Sequence, residues 1–158
     1  MGVAGCGKST VGSALARRLG VPFVDADALH PAANVAHMSA GVPLTDADRA
    51  PWLAAVAAHV AAAPAGVVVA CSALRRRYRD TLRAGAPGTV FVHLTGTREL
   101  LAARLGARLD HFMPPTLLDS QLATLDPLAD DEPGWALDVA WPPDDLAAAA
   151  ADRLRAAV

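Results

Sequence analysis

The segment "GVAGCGKS", Gly2 to Ser9, constrains this chain more than any other. It fits G-x-x-x-x-G-K-[ST]. In such a loop glycines let successive backbone N–H groups curl around an anion, and the following helix offers its positive end. The motif normally lies between a buried strand and a helix, which commits the chain to a layered α/β fold. Gly2, Val3, Ala4, Gly5, Cys6, Gly7, Lys8, Ser9 and Thr10 are the candidate phosphate-binding residues. Lys8 would reach the β- and γ-phosphates of a nucleoside triphosphate, and the Ser9 hydroxyl would ligate Mg²⁺. Lys8 is the only lysine among the 14 Lys and Arg residues. A compact ammonium on a flexible stem suits a phosphate cradle that a planar guanidinium would not fit. The single asparagine, Asn34, and the single glutamine, Gln121, stand out on the same ground.

Beyond the loop, "KSTVGSALARRLG" carries Val11, Leu15 and Leu19 at helical spacing, with Gly20 as its stop. Short apolar strands are predicted in "VPFVDAD", "GVVVACS", "GTVFVHLTG" and "WALDVAW". Helices are predicted in "APWLAAVAAHVAAA", "ALRRRYRDTLRAG", "TRELLAARLGARL", "PTLLDSQLATLD" and "PDDLAAAAADRLRAAV", with a shorter one after Pro31. Strands alternate with helices and read as continuous apolar runs, the pattern of a parallel sheet covered on both faces. Ligands in such folds bind at the C-terminal ends of the strands. The 158 residues suit one domain, 1–158.

The balance of charge excludes other classes. A net charge of −2 and pI near 6.2 give no global field for nucleic acid or an anionic membrane. "RRRYR", Arg75 to Arg79, is one short basic cluster and weak evidence for RNA. Two cysteines, Cys6 and Cys71, make no disulfide framework, so a cytoplasmic setting is expected. "VAGC" lacks the charged and apolar stretches of a lipoprotein leader, and "MGVAGC" has Cys6 where myristoylation wants Ser or Thr. The most apolar window, Leu53 to Cys71, is mainly Ala and is broken by Pro64 and Gly66, so it reads as helix, turn and strand.

Carboxylates are scarce where a nucleotide site needs them. "VVVACS" and "VFVHL" contain none, whereas "FVDAD" ends in Asp25 and Asp27. Asp25 is the candidate for Mg²⁺ contact through water, and Asp27 for orienting an acceptor hydroxyl.

These residues have a familiar setting. "GVAGCGKSTVG", "DADALHPAANVAHMSAGVPLTDADRAPWL", "VVACSALRRRYRDTLR" and "RLGARLDHFMPPTLLDSQLATLD" together resemble the gluconokinase family of P-loop small-molecule kinases. The loop alone is generic to many nucleoside triphosphatases; the pair D-x-D-x-L-H-P-x-x-N and P-L-x-D-x-D-R-x-P-W-L is far more specific. The resemblance implies ATP-dependent, Mg²⁺-assisted phosphorylation of D-gluconate at its terminal hydroxyl. It further implies a five-stranded parallel sheet with helices on both faces, a mobile lid at about residues 104–115, and a homodimer.

Gluconate is a carboxylate with a row of hydroxyls, so its site should offer a cation beside several donors and acceptors. Asp27, His30, Asn34, Asp46 and Arg49 lie in one polar stretch. Arg49 is the first candidate for the carboxylate and Arg75 the second, with Ser72 closing the neighbouring strand, and His111 and Gln121 completing the substrate set. Trp52 is expected to pack beneath that segment. Arg104 and Arg108, one helical turn apart, would close on the transferring phosphoryl group, so Lys8, Asp27, Arg104 and Arg108 form the catalytic set.

Three departures from the family pattern stand out. Only Met1 to Val3 could belong to the strand before the loop, so a start further upstream, or poor folding, is expected. His37 occupies a position where the family often has Lys. Cys6 replaces a usual Ser, and a thiol beside a helix N-terminus could be oxidisable. Two other readings are carried forward: a different P-loop kinase such as a shikimate kinase, which should show a Gly-rich turn after "VVVACS", and a nucleotide-binding module without turnover.

Overall fold

The alternating direction of side chains along the short apolar strands sets the layers. A computed structural model describes residues 1–40, 42–107 and 115–156. Strand β1 (Phe23–Asp25) pairs in parallel with β2 (Val68–Ala70), and β3 (Phe91–Thr95) pairs in parallel with β4 (Gly134–Asp138). Neighbouring strand residues point to opposite faces. Val68 and Val92 pack into a core with helices α1 (Lys8–Leu19), α5 (Arg98–Gly106), α6 (Pro115–Thr124) and α7 (Pro143–Ala156). Val69 and Phe91 pack into the opposite core with α3 (Asp46–Ala61) and α4 (Arg76–Gly85). A 3₁₀ turn (Ala26–Leu29) and α2 (Ala32–Ser39) join β1 to α3.

The two strand pairs are joined through the first two residues. The Met1 amino group donates to the Val92 carbonyl at 2.6 Å, and the Leu94 N–H donates to the Met1 carbonyl at 2.9 Å. On the other side, the Gly2 N–H donates to the Ser72 carbonyl at 3.2 Å. This is parallel-ladder bonding, so Met1 and Gly2 act as the last rung of a strand between β2 and β3. Among the described residues four strands are present, and this rung stands where the expected fifth would run. Burial pushes the Met1 ammonium down to about 6. On the upstream side of Met1 an apolar cavity of about 860 Å³ opens, lined by Leu15, Val68, Val69, Phe91, Val92 and their neighbours.

Helix starts depart from the sequence expectation at α3. The apolar run begins at Trp52, but the helix starts at Asp46, because Thr45 and Asp48 form a capping box. Pro51 is tolerated near the start of this helix. Opposite, α4 is pinned by Arg79, which is 0% exposed. Its guanidinium donates two hydrogen bonds to the Glu132 carboxylate, at 2.6 and 2.8 Å, and donates to the carbonyls of Ala73, Leu74, Asp126 and Pro127. This pair fixes the loop after β2 against the segment that leads to β4. The lid expectation for residues 108–114 lies outside the described residues.

Glu132→Ala leaves a buried guanidinium charge uncompensated and is expected to cost about 3–5 kcal/mol in urea unfolding. The Arg79 hydrogen bonds hold Glu132 below the ordinary carboxylate range, so its contribution is fully present at neutral pH and is lost progressively as the pH falls from the ordinary carboxylate value through the lowered one. A second expectation concerns the cavity. About four apolar, β-forming residues placed ahead of Met1 should raise Tm by ~10 °C through added burial, and a Gly-Ser extension of equal length should not. Equal melting temperatures for the two extensions would rule out strand insertion there.

Candidate functional site

The loop's geometry follows from its glycines. Gly5 and Gly7 have φ of +81° and +87°, backbone that L side chains rarely adopt. At Gly5 a Cβ would stand 2.9 Å from the Leu101 carbonyl oxygen, so the loop also presses closely on α5. Gly7 is the N-cap of α1; no side chain caps it, and the first turn carries no acidic residue. The first N–H groups of α1 are thus not capped from within, and the end of the helix favours an anion. This donor set fits the phosphates of a nucleoside triphosphate.

Side chains around the loop are satisfied from inside the protein. Lys8 Nζ donates to the Val3 carbonyl at 3.0 Å. Ser9 Oγ donates to Asp25 Oδ2 at 2.9 Å, bringing together the two residues named for the metal. A hydroxyl and a carboxylate fit Mg²⁺, which keeps several waters and is bound by few protein ligands. Thr10 is exposed on the first turn. The Ala4 N–H donates to Gln121 Oε1 at 2.6 Å, so Gln121 on α6, named for the substrate set, braces the phosphate loop.

The acceptor side is built on β1 and the helices that follow. Asp25 Oδ1 accepts the Asp27 N–H at 3.1 Å, which orients the turn and leaves the Asp27 carboxylate 86% exposed. Trp52 is buried; its Nε1 donates to the Ala26 carbonyl at 2.7 Å and its ring stacks on His30 at 4.3 Å. Burial lowers the His30 pKa, against the pull of Asp27 and with the push of Arg49. Asn34, 3% exposed, donates to the Asp48 carbonyl at 2.8 Å. His37 is exposed.

A second cluster gathers around Tyr78, the only tyrosine. Its hydroxyl donates to Asp46 Oδ1 at 2.6 Å, and Arg77 pairs with the other oxygen. The Tyr78 hydrogen bond, with Arg77, holds Asp46 below the usual carboxylate range. Arg49 donates to the Leu44 carbonyl and lies 5.8 Å from the Tyr78 ring centre. Arg75, the N-cap of α4, has a buried Nε with no partner among the described residues. Ser72 accepts the Gly2 N–H through its carbonyl. Sequence reading missed Tyr78 as the organiser of this cluster; its being unique in the chain was the available signal. Arg104 is turned to the Val139 carbonyl at 2.6 Å. Arg108 and His111 lie outside the described residues.

A P-loop over a carboxylate-tipped parallel sheet defines a small-molecule kinase fold. A family profile described as shikimate kinase matches residues 4–127. The Gluconobacter oxydans gluconokinase is 54% identical over 136 residues, covering 84% of this chain and 76% of that protein. The thermosensitive gluconokinase of Escherichia coli is 44% identical, covering 84% of this chain and 73% of its own length. The crystal structure of a gluconokinase from Sinorhizobium meliloti superposes with a TM-score of 0.87 at 49% identity, covering 98% of this chain and 90% of that one. Mycobacterium tuberculosis APS kinase, at 18% identity and a TM-score of 0.68, shares the fold. Within the P-loop kinases that the shikimate kinase profile describes, this chain belongs to the gluconokinase family. The segment after β2 agrees: it is Cys71-Ser72-Ala73-Leu74, with no glycine, and Ala73 itself takes the positive φ of 43°.

Burial corrects the expectation for Cys6. The thiol is 1% exposed, wedged beside Gly2 and 4.0 Å from Lys8 Nζ, and burial shields it from a reagent in solvent. Cys71 is also buried, and desolvation pushes its thiol up to about 11. Native protein is therefore expected to resist Ellman's reagent, with both thiols reacting only on unfolding. Rapid labelling of Cys6 in the folded chain would restore the redox reading.

Proposed function

We propose that this chain transfers the γ-phosphoryl group of ATP to the terminal hydroxyl of D-gluconate, in the cytoplasm and as a homodimer. Membership of the gluconokinase family supports the substrate. The observation that carries the reading at the level of residues is the line Ser9–Asp25–Asp27, which runs from the phosphate loop to an exposed carboxylate. Among the described residues no helix is long and apolar enough to cross a membrane.

In this reading Lys8 exchanges the Val3 carbonyl for the β- and γ-phosphates, and the amides of the loop and of the first turn of α1 as far as Thr10 enclose them, save those of Gly2 and Ala4, which serve Ser72 and Gln121. Mg²⁺, held by Ser9 Oγ and through water by Asp25, would neutralise phosphate charge when bound. Asp27 orients the acceptor hydroxyl and takes its proton as transfer proceeds in line. Arg75, whose Nε has no partner among the described residues, and Arg49 receive the gluconate carboxylate, Asn34, Asp46, Ser72 and His111 border the hydroxyls, and His30 stands behind Asp27. Arg104 leaves the Val139 carbonyl to join Arg108 over the transferring group, and closure excludes water as a competing acceptor.

Coupled ADP-release assays should show turnover with D-gluconate and none above background with shikimate or nucleoside monophosphates. Preference for another acceptor would overturn the substrate. Asp27→Asn should lower kcat at least ~100-fold, with ATP affinity retained. Near-normal turnover by that variant would remove Asp27 from the chemistry.

A further inference from the structure

Three elements meet at one imidazole. His30 ends the 3₁₀ turn, Asn34 stands on α2, and Asp48 and Trp52 stand on α3. The ring lies on Trp52 with an interplanar angle of 10°, and the indole is itself fixed by its bond to the Ala26 carbonyl. The His30 side chain is only 5% exposed. Its tilt is therefore set, and what remains open is which nitrogen carries the proton.

Asn34 settles that choice. Its Nδ2 lies 2.8 Å from the Asp48 carbonyl oxygen and 3.3 Å from His30 Nδ1. A flipped amide would point an oxygen at a carbonyl oxygen, placing two acceptors face to face in a buried site. The NH₂ end must therefore face this way. One N–H serves the Asp48 carbonyl and the other meets His30 Nδ1, which then accepts. An accepting Nδ1 carries no proton, so the neutral ring is protonated at Nε2. That nitrogen lies 4.0 Å from Asp27 Oδ1. The charges facing the ring are Asp27, which favours a second proton, and Arg49, which opposes it; burial sides with Arg49. The imidazole is thus a neutral, one-directional donor.

We propose that Asn34 locks His30 as the Nε2–H tautomer, and that this N–H, braced by Trp52, holds the Asp27 carboxylate in the orientation that meets the acceptor hydroxyl. The Asp27 side chain is exposed, and a small turn, or one water, closes the 4.0 Å gap. One oxygen is then tied to His30 and the other is left for substrate. His30 acts through Asp27, so it is a positioning residue. The assignment rests on the role given to Asp27 above.

Two measurements test it on the full chain. Long-range ¹H–¹⁵N NMR of the ligand-free protein should show His30 with an unprotonated Nδ1 and a protonated Nε2; the opposite tautomer overturns the proposal, and this arm needs no variant to fold. In kinetics, His30→Gln places an amide N–H near the ε position, His30→Asn places one near the δ position, and His30→Phe keeps only the stack. The Gln variant should hold kcat within about threefold, while Asn and Phe lose about tenfold or more with KM for gluconate and Tm near wild type. Full turnover by His30→Phe, or an equal loss in Gln and Phe, overturns the positioning role. If Asp27→Asn is inactive and His30→Phe is not, only this inference fails. If Asp27→Asn is fully active, the assignment of Asp27 itself fails, whatever the tautomer.

Discussion

The backbone of two residues holds this fold's centre. Met1 pairs with β3 and Gly2 with β2, and the phosphate loop departs directly from that rung. The contact is close enough to dictate sequence: a Cβ on Gly2 would stand 2.7 Å from the Leu94 carbonyl oxygen and 2.9 Å from Cys6 Sγ. Gly2 therefore serves the sheet and the loop together. It lets the rung approach β3 and turns the chain out of the sheet at the height where β1 ends in Asp25. Because all strands run the same way, the loop, Asp25 and Ser72 emerge at one edge, and the site is a consequence of strand polarity.

Much of this was written locally in the sequence. Glycine and lysine spacing fixed the loop, helical periodicity fixed α1, and apolar runs located each strand. The Thr45–Asp48 capping box was also local, yet the apolar run that starts at Trp52 masked it and α3 was expected several residues late. Other features were illegible for a physical reason. Ala4 and Gln121 are 117 residues apart, and nothing in either segment announces that an amide of one will meet the side chain of the other. Gln121 was noticed because it is unique, but uniqueness carries no direction. Arg79 is a similar case. Inside "RRRYR" it looks like its neighbours, and only folding separates its fully buried guanidinium from those of Arg76 and Arg77, which solvent reaches.

The basic cluster shows how one helix divides its charges. Arg76 faces Asp80 and Asp131, Arg77 faces Asp46, and Arg79 turns inward to Glu132. Exposed pairs of this kind contribute little to stability. Their consequence is geometric: Arg77 and Tyr78 together hold Asp46, which opens α3, so α4 positions the start of the helix that carries Trp52 and Arg49. The acceptor side is thereby tied to the loop after β2, whose own shape Arg79 maintains.

Three of the groups that the proposed reaction needs have internal partners here. Lys8 has the Val3 carbonyl, Ser9 has Asp25, and Arg104 has the Val139 carbonyl. A polar group left unpaired in a buried site costs about 1–3 kcal/mol, so these bonds let the site persist without ligand. They also mean that binding exchanges one set of hydrogen bonds for another, and the net gain per contact is smaller than a contact list suggests. Arg104 carries the argument furthest. Its bond ties α5 to the turn between β4 and α7, two elements on one face of the sheet. A move toward a phosphoryl group would release that tie, so capture of the transferring group and loosening of this face would be a single event.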